Sequence, residues 1–353
     1  MPRRDRALEI VRAVGADALL AAEVSTVTWL TGYAAPIETG PSPFALSPLA
    51  LLTGDGSPVL LVSEDEAEAA SGLDCEVVSY PGYTLGQVEP VEHAAQALRK
   101  VVGGTAVVAT ETGSLPAGLA EGLSLVDVTG RLGRARAVKD PDELERLRQA
   151  IRVCDAGQAE VRRRAVPGVS ELEAWAAVRA AMERAAGGRF PLLADFLSGP
   201  RTAGVEGPPG DRVLREGDLV IADLVPRIDG YWGDSCSTVC LGEPSPSVRR
   251  AHAVVRERLQ RLVDACRAGV RSGDLDAVAR QGLRYPHHSG HGIGTTYHEE
   301  PRIVPGWETV LEPGMVLALE PAWYGDEEGV RLEWIVLVTD DGCEVLSRHA
   351  LEL

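Results

Sequence analysis

The sequence predicts two domains of different class, an α/β domain over residues 1–135 and an α+β domain over residues 136–353. Three observations lead there. The chain has 353 residues, beyond the roughly 100 to 200 of a usual single domain. Its first third alternates helical and strand-like periodicity, the pattern of a sheet covered by helices. Its remainder opens on two long helical stretches and continues in apolar strand-like runs, several of which carry or end on a carboxylate.

In the first domain apolar residues recur at helical spacing from Arg6 to Val14, Ala18 to Ala22 reads as a short strand, and Ser25 is the expected N-cap of a helix ending near Gly32. Leu49 to Leu52 and Val59 to Val62 flank Thr53-Gly54-Asp55-Gly56-Ser57, which suits a hairpin. A helix is expected from Glu64, a strand near Glu76 to Ser79, a helix from about Glu92 to Val101 and a strand at Ala106 to Ala109. No cluster of metal-type donors falls in this region, so it is read as a domain that shapes substrate access or dimerises.

The break at Lys139-Asp140-Pro141 marks the boundary and opens a helix to about Arg164. Ser170 and Glu173 have the capping-box spacing, and the helix they open should end at Gly187-Gly188. A Gly/Pro-rich segment, Ser198 to Gly210, then precedes the strand-like runs Leu219 to Arg227 and Tyr231 to Leu241. Asp229-Gly230 between them favours a two-residue type I′ turn, which sets residue 228 against 231, 225 against 234 and 223 against 236. Helices at Ser247 to Arg267 and Asp274 to Leu283 follow.

Composition excludes several classes. Lys and Arg number 35 against 52 Asp and Glu, a net charge of −17, which repels phosphate backbones and anionic membrane surfaces. Neither nucleic acid nor membrane is an expected partner. No apolar run approaches the roughly 20 residues that span a bilayer, and the N-terminus lacks the apolar centre of a signal peptide. The six cysteines have no metal-finger spacing, so reduced thiols in the cytoplasm are the simplest reading.

The chemistry-bearing residues lie between Leu219 and Glu333. Asp223 and Asp234 share one face of the expected hairpin, where two carboxylates repel unless a cation sits between them; an exposed acidic hairpin face is the plain alternative. Four of seven histidines, His287, His288, His291 and His298, fall within twelve positions amid glycines, where a flexible polar loop is the alternative. An apolar run ends on Glu320 before Pro321, and Glu333 sits inside the run Val330 to Val338. A charge there must be paired, for which Arg331 is available, or must bind a metal. Jointly, two aspartates, two glutamates and a histidine fit two divalent cations better than one, and the oxygen-rich set favours manganese, cobalt or zinc. Hydrolysis is the implied chemistry.

These residues stand in motifs that resemble the pita-bread (creatinase/aminopeptidase fold) metallopeptidases, within them the prolidase and aminopeptidase P branch. The motifs are Gly217 to Asp223, Gly230 to Asp234, Gly290 to Gly294, His298-Glu299 with Pro301, Glu312 to Met315 with Glu320-Pro321, and Val330 to Glu333. The stretches Ala16 to Leu20, Trp29 to Tyr33 and Val138 to Leu144 match in the first half. The resemblance implies a creatinase-like N-terminal domain ahead of a pita-bread catalytic domain. It implies that Asp223, Asp234, His291, Glu320 and Glu333 hold two cations, with Asp234 and Glu333 bridging and Glu320 as general base toward a hydroxide shared by the metals. It gives His298 the stabilisation of the tetrahedral intermediate and His287 the proline side of the pocket. Arg331 and Tyr324 would hold a ligand carboxylate, and Glu206 and Tyr231 would lie near substrate.

Three positions depart from the family pattern: Glu206 stands where a histidine is usual, Cys236 where a threonine is usual, and Trp334 where an acid is common. The expected function is cleavage of the Xaa-Pro bond of short peptides by a cytoplasmic homodimer. The alternatives are removal of the residue before proline from longer peptides, as by aminopeptidase P, or creatinase-like C–N hydrolysis of a small molecule. A catalytically silent binding module is the non-enzymatic alternative.

Overall fold

A computed structural model describes residues 1–35, 42–102 and 107–353, in two compact units, Met1–Arg136 and Ala137–Leu353. The first unit runs α1 (Arg3–Ala13), β1 (Ala18–Ala21), α2 (Val24–Thr31), β2 (Leu49–Thr53), β3 (Pro58–Ser63), β4 (Glu76–Tyr80), α3 (Pro90–Val102), β5 (Val107–Thr110), β6 (Ser124–Asp127) and α4 (Thr129–Ala137). The strands form one mixed sheet in the order β4-β3-β2-β1-β5-β6. Every residue of β1 is buried, because Leu19 and Ala21 face Leu8, Trp29 and Leu132 while Ala18 and Leu20 face Leu98 and Val108. Covering both faces makes the central strand apolar throughout instead of alternating.

Three expectations change here. The helix expected from Glu64 is one 3₁₀ turn, Glu64–Glu66, since an all-acidic start offers no apolar stripe to bury. The cap of α2 is Glu23, whose carboxylate accepts from the Ser25 amide at 2.7 Å, in place of Ser25 itself. The strand expected at Ala106 to Ala109 is Val107–Thr110, and Ala106 lies outside the described residues.

The second unit begins with α5 (Pro141–Arg164) and α6 (Glu171–Ala186), both opened by capping boxes, at Asp140 with Glu143 and at Ser170 with Glu173. Then come β7 (Leu192–Ser198), β8 (Leu219–Ile228), β9 (Tyr231–Trp232) and β10 (Cys236–Cys240), followed by α7 (Pro246–Ala265) and α8 (Ser272–Ala279). The chain closes with β11 (Gly290–Gly292), β12 (Glu299–Ile303), β13 (Val316–Leu319), β14 (Ala322–Tyr324), β15 (Gly329–Arg331), β16 (Trp334–Val338) and β17 (Cys343–Val345). One sheet is ordered β10-β8-β7 with β9 on β8, a second is β12-β11-β13-β16-β17, and β14 pairs β15. Residues of α5 and α6 pack on the first sheet and those of α7 and α8 on the second.

The hairpin has the register that its turn predicts. Asp229 and Gly230 both take positive φ, 46° and 85°, as a type I′ turn requires. Ile228 pairs Tyr231, and Asp223 pairs Cys236. The strand expected as Tyr231 to Leu241 is divided in two, with Asp234 in the interval. The run Val330 to Val338 is likewise two strands in different sheets, and Glu333 occupies the break, not a strand interior. Its N–H donates to the Cys236 carbonyl at 2.9 Å, tying that break to the first sheet.

Strand β11 is pressed between β12 and β13. A Cβ on Gly290 would overlap the Ala318 carbonyl, and one on Gly292 the Glu300 carbonyl, so the glycines beside His291 set the sheet spacing. Gly292→Ala is expected to cost about 2 kcal/mol and to lower Tm by roughly 5 °C in a thermal unfolding scan. An unchanged Tm would show that β12 yields freely.

Candidate metal centre

The five metal-type donors come from strands, and from breaks beside strands, of the two larger sheets of the second unit. Asp223 lies on β8, Asp234 after β9, His291 on β11, Glu320 one residue past β13 and Glu333 between β15 and β16. All five line one cavity of about 410 Å³ with Asp195, Glu206, His287, His288, Tyr297, His298 and Arg331.

Ligand atoms of Asp234, His291 and Glu333 lie within 4.8 Å of one another, all buried, and those of His288, His291 and His298 do the same. The His291 Nδ1 lies 2.9 Å from the Gly292 carbonyl, which only accepts, so Nδ1 carries the proton. Its Nε2 lone pair then faces Asp234 Oδ2 at 3.7 Å and Glu320 Oε1 at 3.5 Å. Burial pushes the His291 pKa down to about 3, keeping the ring neutral.

The carboxylates are out of balance with the protein around them. Burial, with Glu320 and Asp195 nearby, raises Asp223 to about 6 although Arg331 pulls it down. Burial also raises Asp234 and Glu333 well above the usual range, and neighbouring carboxylates add to it. Asp223 Oδ1, Asp234 Oδ1 and Glu333 Oε1 are buried without a hydrogen-bond partner. Buried acids are normally paired or bound to cations. Three orphaned oxygens on residues that line one cavity with an imidazole whose Nε2 is open therefore fit divalent cations, which supply the missing positive charge.

Around these donors the protein arranges other groups. Arg331 Nη2 donates to Asp223 Oδ2 at 2.9 Å and to Asp195 Oδ2 at 3.1 Å, and its Nη1 to the Val205 carbonyl at 2.6 Å. It does not pair with Glu333, so the ion pair considered from sequence alone is absent. Arg331 Nη1 also donates to the Tyr324 hydroxyl at 3.2 Å, which stands 3.1 Å from His287 Nε2. The His287 Nδ1 is spent on the His288 carbonyl at 2.7 Å, so the tyrosine donates to His287. His298 packs edge-on against His291 with ring centres 4.2 Å apart.

Tyr231 is buried behind the site, its hydroxyl 3.2 Å from Glu143 Oε1 on α5, and it is not among the cavity's lining residues; strand alternation turns it toward the helix. Glu206 is exposed on the cavity wall. Cys236 opposes Asp223, yet its thiol faces Arg331 Nε at 3.3 Å and burial holds its pKa well above the ordinary value, so it remains protonated. Two participants have no role assigned from sequence. Asp195 pairs Asp223 across β7 and β8; an aspartate in the apolar run Leu192 to Ser198 was its only signal. His288 Nε2 lies 2.8 Å from Glu320 Oε1, and its presence in the histidine cluster was the signal.

Comparison with known proteins gives a consistent picture. Residues 145–340 match the model of metallopeptidase family M24, and residues 3–138 match that of the creatinase/prolidase N-terminal domain. The chain is 35% identical over 268 residues to the probable dipeptidase PepE of Mycobacterium tuberculosis, covering 72% of this chain and 71% of that protein. It is 31% identical over 226 residues to the Xaa-Pro dipeptidase of Pyrococcus furiosus, covering 62% of this chain and 65% of that one. The crystal structure of the prolidase from Pyrococcus horikoshii matches with a TM-score of 0.82 at 26% identity over 99% of both chains. With its buried donors gathered in one cavity on a pita-bread fold, the chain belongs to metallopeptidase family M24.

Proposed function

We propose that this metallopeptidase cleaves the Xaa-Pro bond of short peptides, dipeptides above all, with two divalent cations held by Asp223, Asp234, His291, Glu320 and Glu333. The observation that carries the cation reading is the set of three partnerless buried carboxylate oxygens in the cavity that His291 also lines, two of them on residues grouped with it. Manganese is the preferred ion, before cobalt and zinc, on the strength of four carboxylates against one imidazole. The Xaa-Pro preference is supported by the relatives named for it.

Cations in this cavity supply Lewis acidity toward a peptide carbonyl and toward water. The protein's own groups do the rest. Glu320 acts as the base that takes the proton of the attacking water, with His288 hydrogen-bonded to Oε1 fixing its orientation. His298, on the exposed side of the cavity, donates to the carbonyl oxygen as it gains charge. His287, held by Tyr324, lines the side that receives proline, and Arg331 keeps Asp223 aimed inward. Asp234 and Glu333, whose ligand atoms lie close to that of His291, would help to hold the cations. The Met1–Arg136 unit shapes substrate access and pairs subunits of a homodimer. Cysteines free of disulfides support a reducing compartment, the cytoplasm. Among the described residues no helix is long and apolar enough to cross a membrane.

Protein loaded with manganese and given Gly-Pro, Ala-Pro, Leu-Pro and the matching Xaa-Ala dipeptides is expected to turn over the proline series preferentially. A faster reaction on proline-containing tripeptides would move the assignment to aminopeptidase P. No turnover of any Xaa-Pro peptide by the loaded enzyme would overturn it.

A further inference from the structure

We infer that Glu206 makes this enzyme selective for peptides whose residue before the cleaved bond is lysine or arginine. The inference deepens the proposed function and rests on it, since proline in second place leaves the first residue to carry the cation.

Two independent features of the cavity converge on an amphipathic cation. The first is charge. The other acids of the cavity wall have a partner in the protein or in the proposed ions: Asp195 and Asp223 share Arg331, Glu320 contacts His288, and Asp234 and Glu333 would hold the ions. Glu206 is exposed on the same wall, with no hydrogen bond or ion pair among the described residues. A substrate group is what remains to complement it.

The second feature is apolar surface. Leu193 and Tyr297 are large hydrophobic residues left 46% and 41% exposed, and both line this cavity. Leu193 pairs Val225 across β7 and β8, and Asp195 pairs Asp223 two residues further along. Two residues along a strand is roughly 7 Å with side chains on the same face, so the Leu193 and Val225 patch adjoins the metal centre at the distance of one neighbouring peptide side chain. Glu206 is brought to the same edge because the Gly207 amide donates to Asp195 Oδ1 at 2.9 Å and the Phe196 amide to the Gly207 carbonyl at 3.0 Å. An apolar strip next to the reacting centre with an unpaired carboxylate beside it matches the aliphatic stem and charged head of lysine or arginine.

The test is a ratio, read on the manganese-loaded full chain. Lys-Pro, Met-Pro and Glu-Pro are compared by kcat/KM, with Lys-Ala and Met-Ala run alongside. The wild type is expected to prefer Lys-Pro over Met-Pro, and E206Q to lower that ratio by about fivefold, the size of a solvent-accessible ion pair. E206K is expected to invert the order of Lys-Pro and Glu-Pro. Raising the salt should shrink the wild-type ratio and leave that of E206Q unchanged. A Lys-to-Met ratio equal in wild type and E206Q overturns the inference even if Xaa-Pro turnover is robust. Loss of proline preference with the Lys-to-Met ratio kept in the alanine series overturns the Xaa-Pro reading and leaves Glu206 in its role.

Discussion

Asp234→Ala is expected to lower kcat/KM by on the order of a thousandfold, the equivalent of roughly 4 kcal/mol of charge stabilisation at the reacting carbonyl. Its effect on stability should have the opposite sign in the absence of metal. Asp234 is buried against Glu333, Asp223 and Glu320, and each of those charges raises its pKa. In a chelated sample the wild type must keep these acids together with only Arg331 and histidines to offset them, and removing one acid relieves the repulsion. The variant in EDTA should therefore unfold at the same temperature as chelated wild type or higher, whereas with manganese the wild type should be the more stable. A variant that retains activity, or one that unfolds far below chelated wild type, would remove Asp234 from the ion site and make it a structural residue.

The second large effect is expected away from the donors. Lys139 Nζ lies 2.9 Å from Glu299 Oε2, and both side chains are only 1% exposed. Glu299 Oε1 also accepts from the Thr295 hydroxyl and the Thr296 amide, each at 3.1 Å. The pair thus anchors the turn that presents His298. Lys139→Met leaves a buried carboxylate without its cation and should cost on the order of 3 to 5 kcal/mol, or roughly 10 °C in Tm. The double variant Lys139→Met with Glu299→Met should recover most of that loss, because no unpaired charge remains. If the single variant unfolds within 1 °C of wild type, the pair contributes little and the turn is held by packing alone.

Much of this arrangement was readable in the residues because the signals were local. Asp229-Gly230 specified the turn and hence the opposition of Asp223 and Cys236, and Ser170 with Glu173 specified the start of α6. Local signals also misled. Glu64 opened an apparent helix that had no apolar face to bury, and Glu23 displaced Ser25 as a cap because the helix starts earlier, at Val24, with the Glu23 carboxylate accepting from the amide of Ser25 itself. The strand Ser124–Asp127 and helix Thr129–Ala137 went unrecognised, since the strand is short and half polar. At the site, the donor-bearing segments stood out as charges in apolar runs. Their environment did not: Asp195 meets Asp223 only through pairing of β7 with β8, and Arg331 finds aspartates on other strands instead of the nearby Glu333. Long-range pairing decides such contacts, and local periodicity carries no record of it.

The break in the chain at Glu333 has a mechanical consequence. Its amide is bonded to the sheet that carries Asp223, while the strand that follows belongs to the sheet that carries His291, so the side chain sits on a seam between layers. Ions gathered there would stitch the layers as well as activate water, and their binding energy would be folding energy too. Stripping them would loosen the unit along the very line where peptides are cut, which makes durability and catalysis two readings of one clasp.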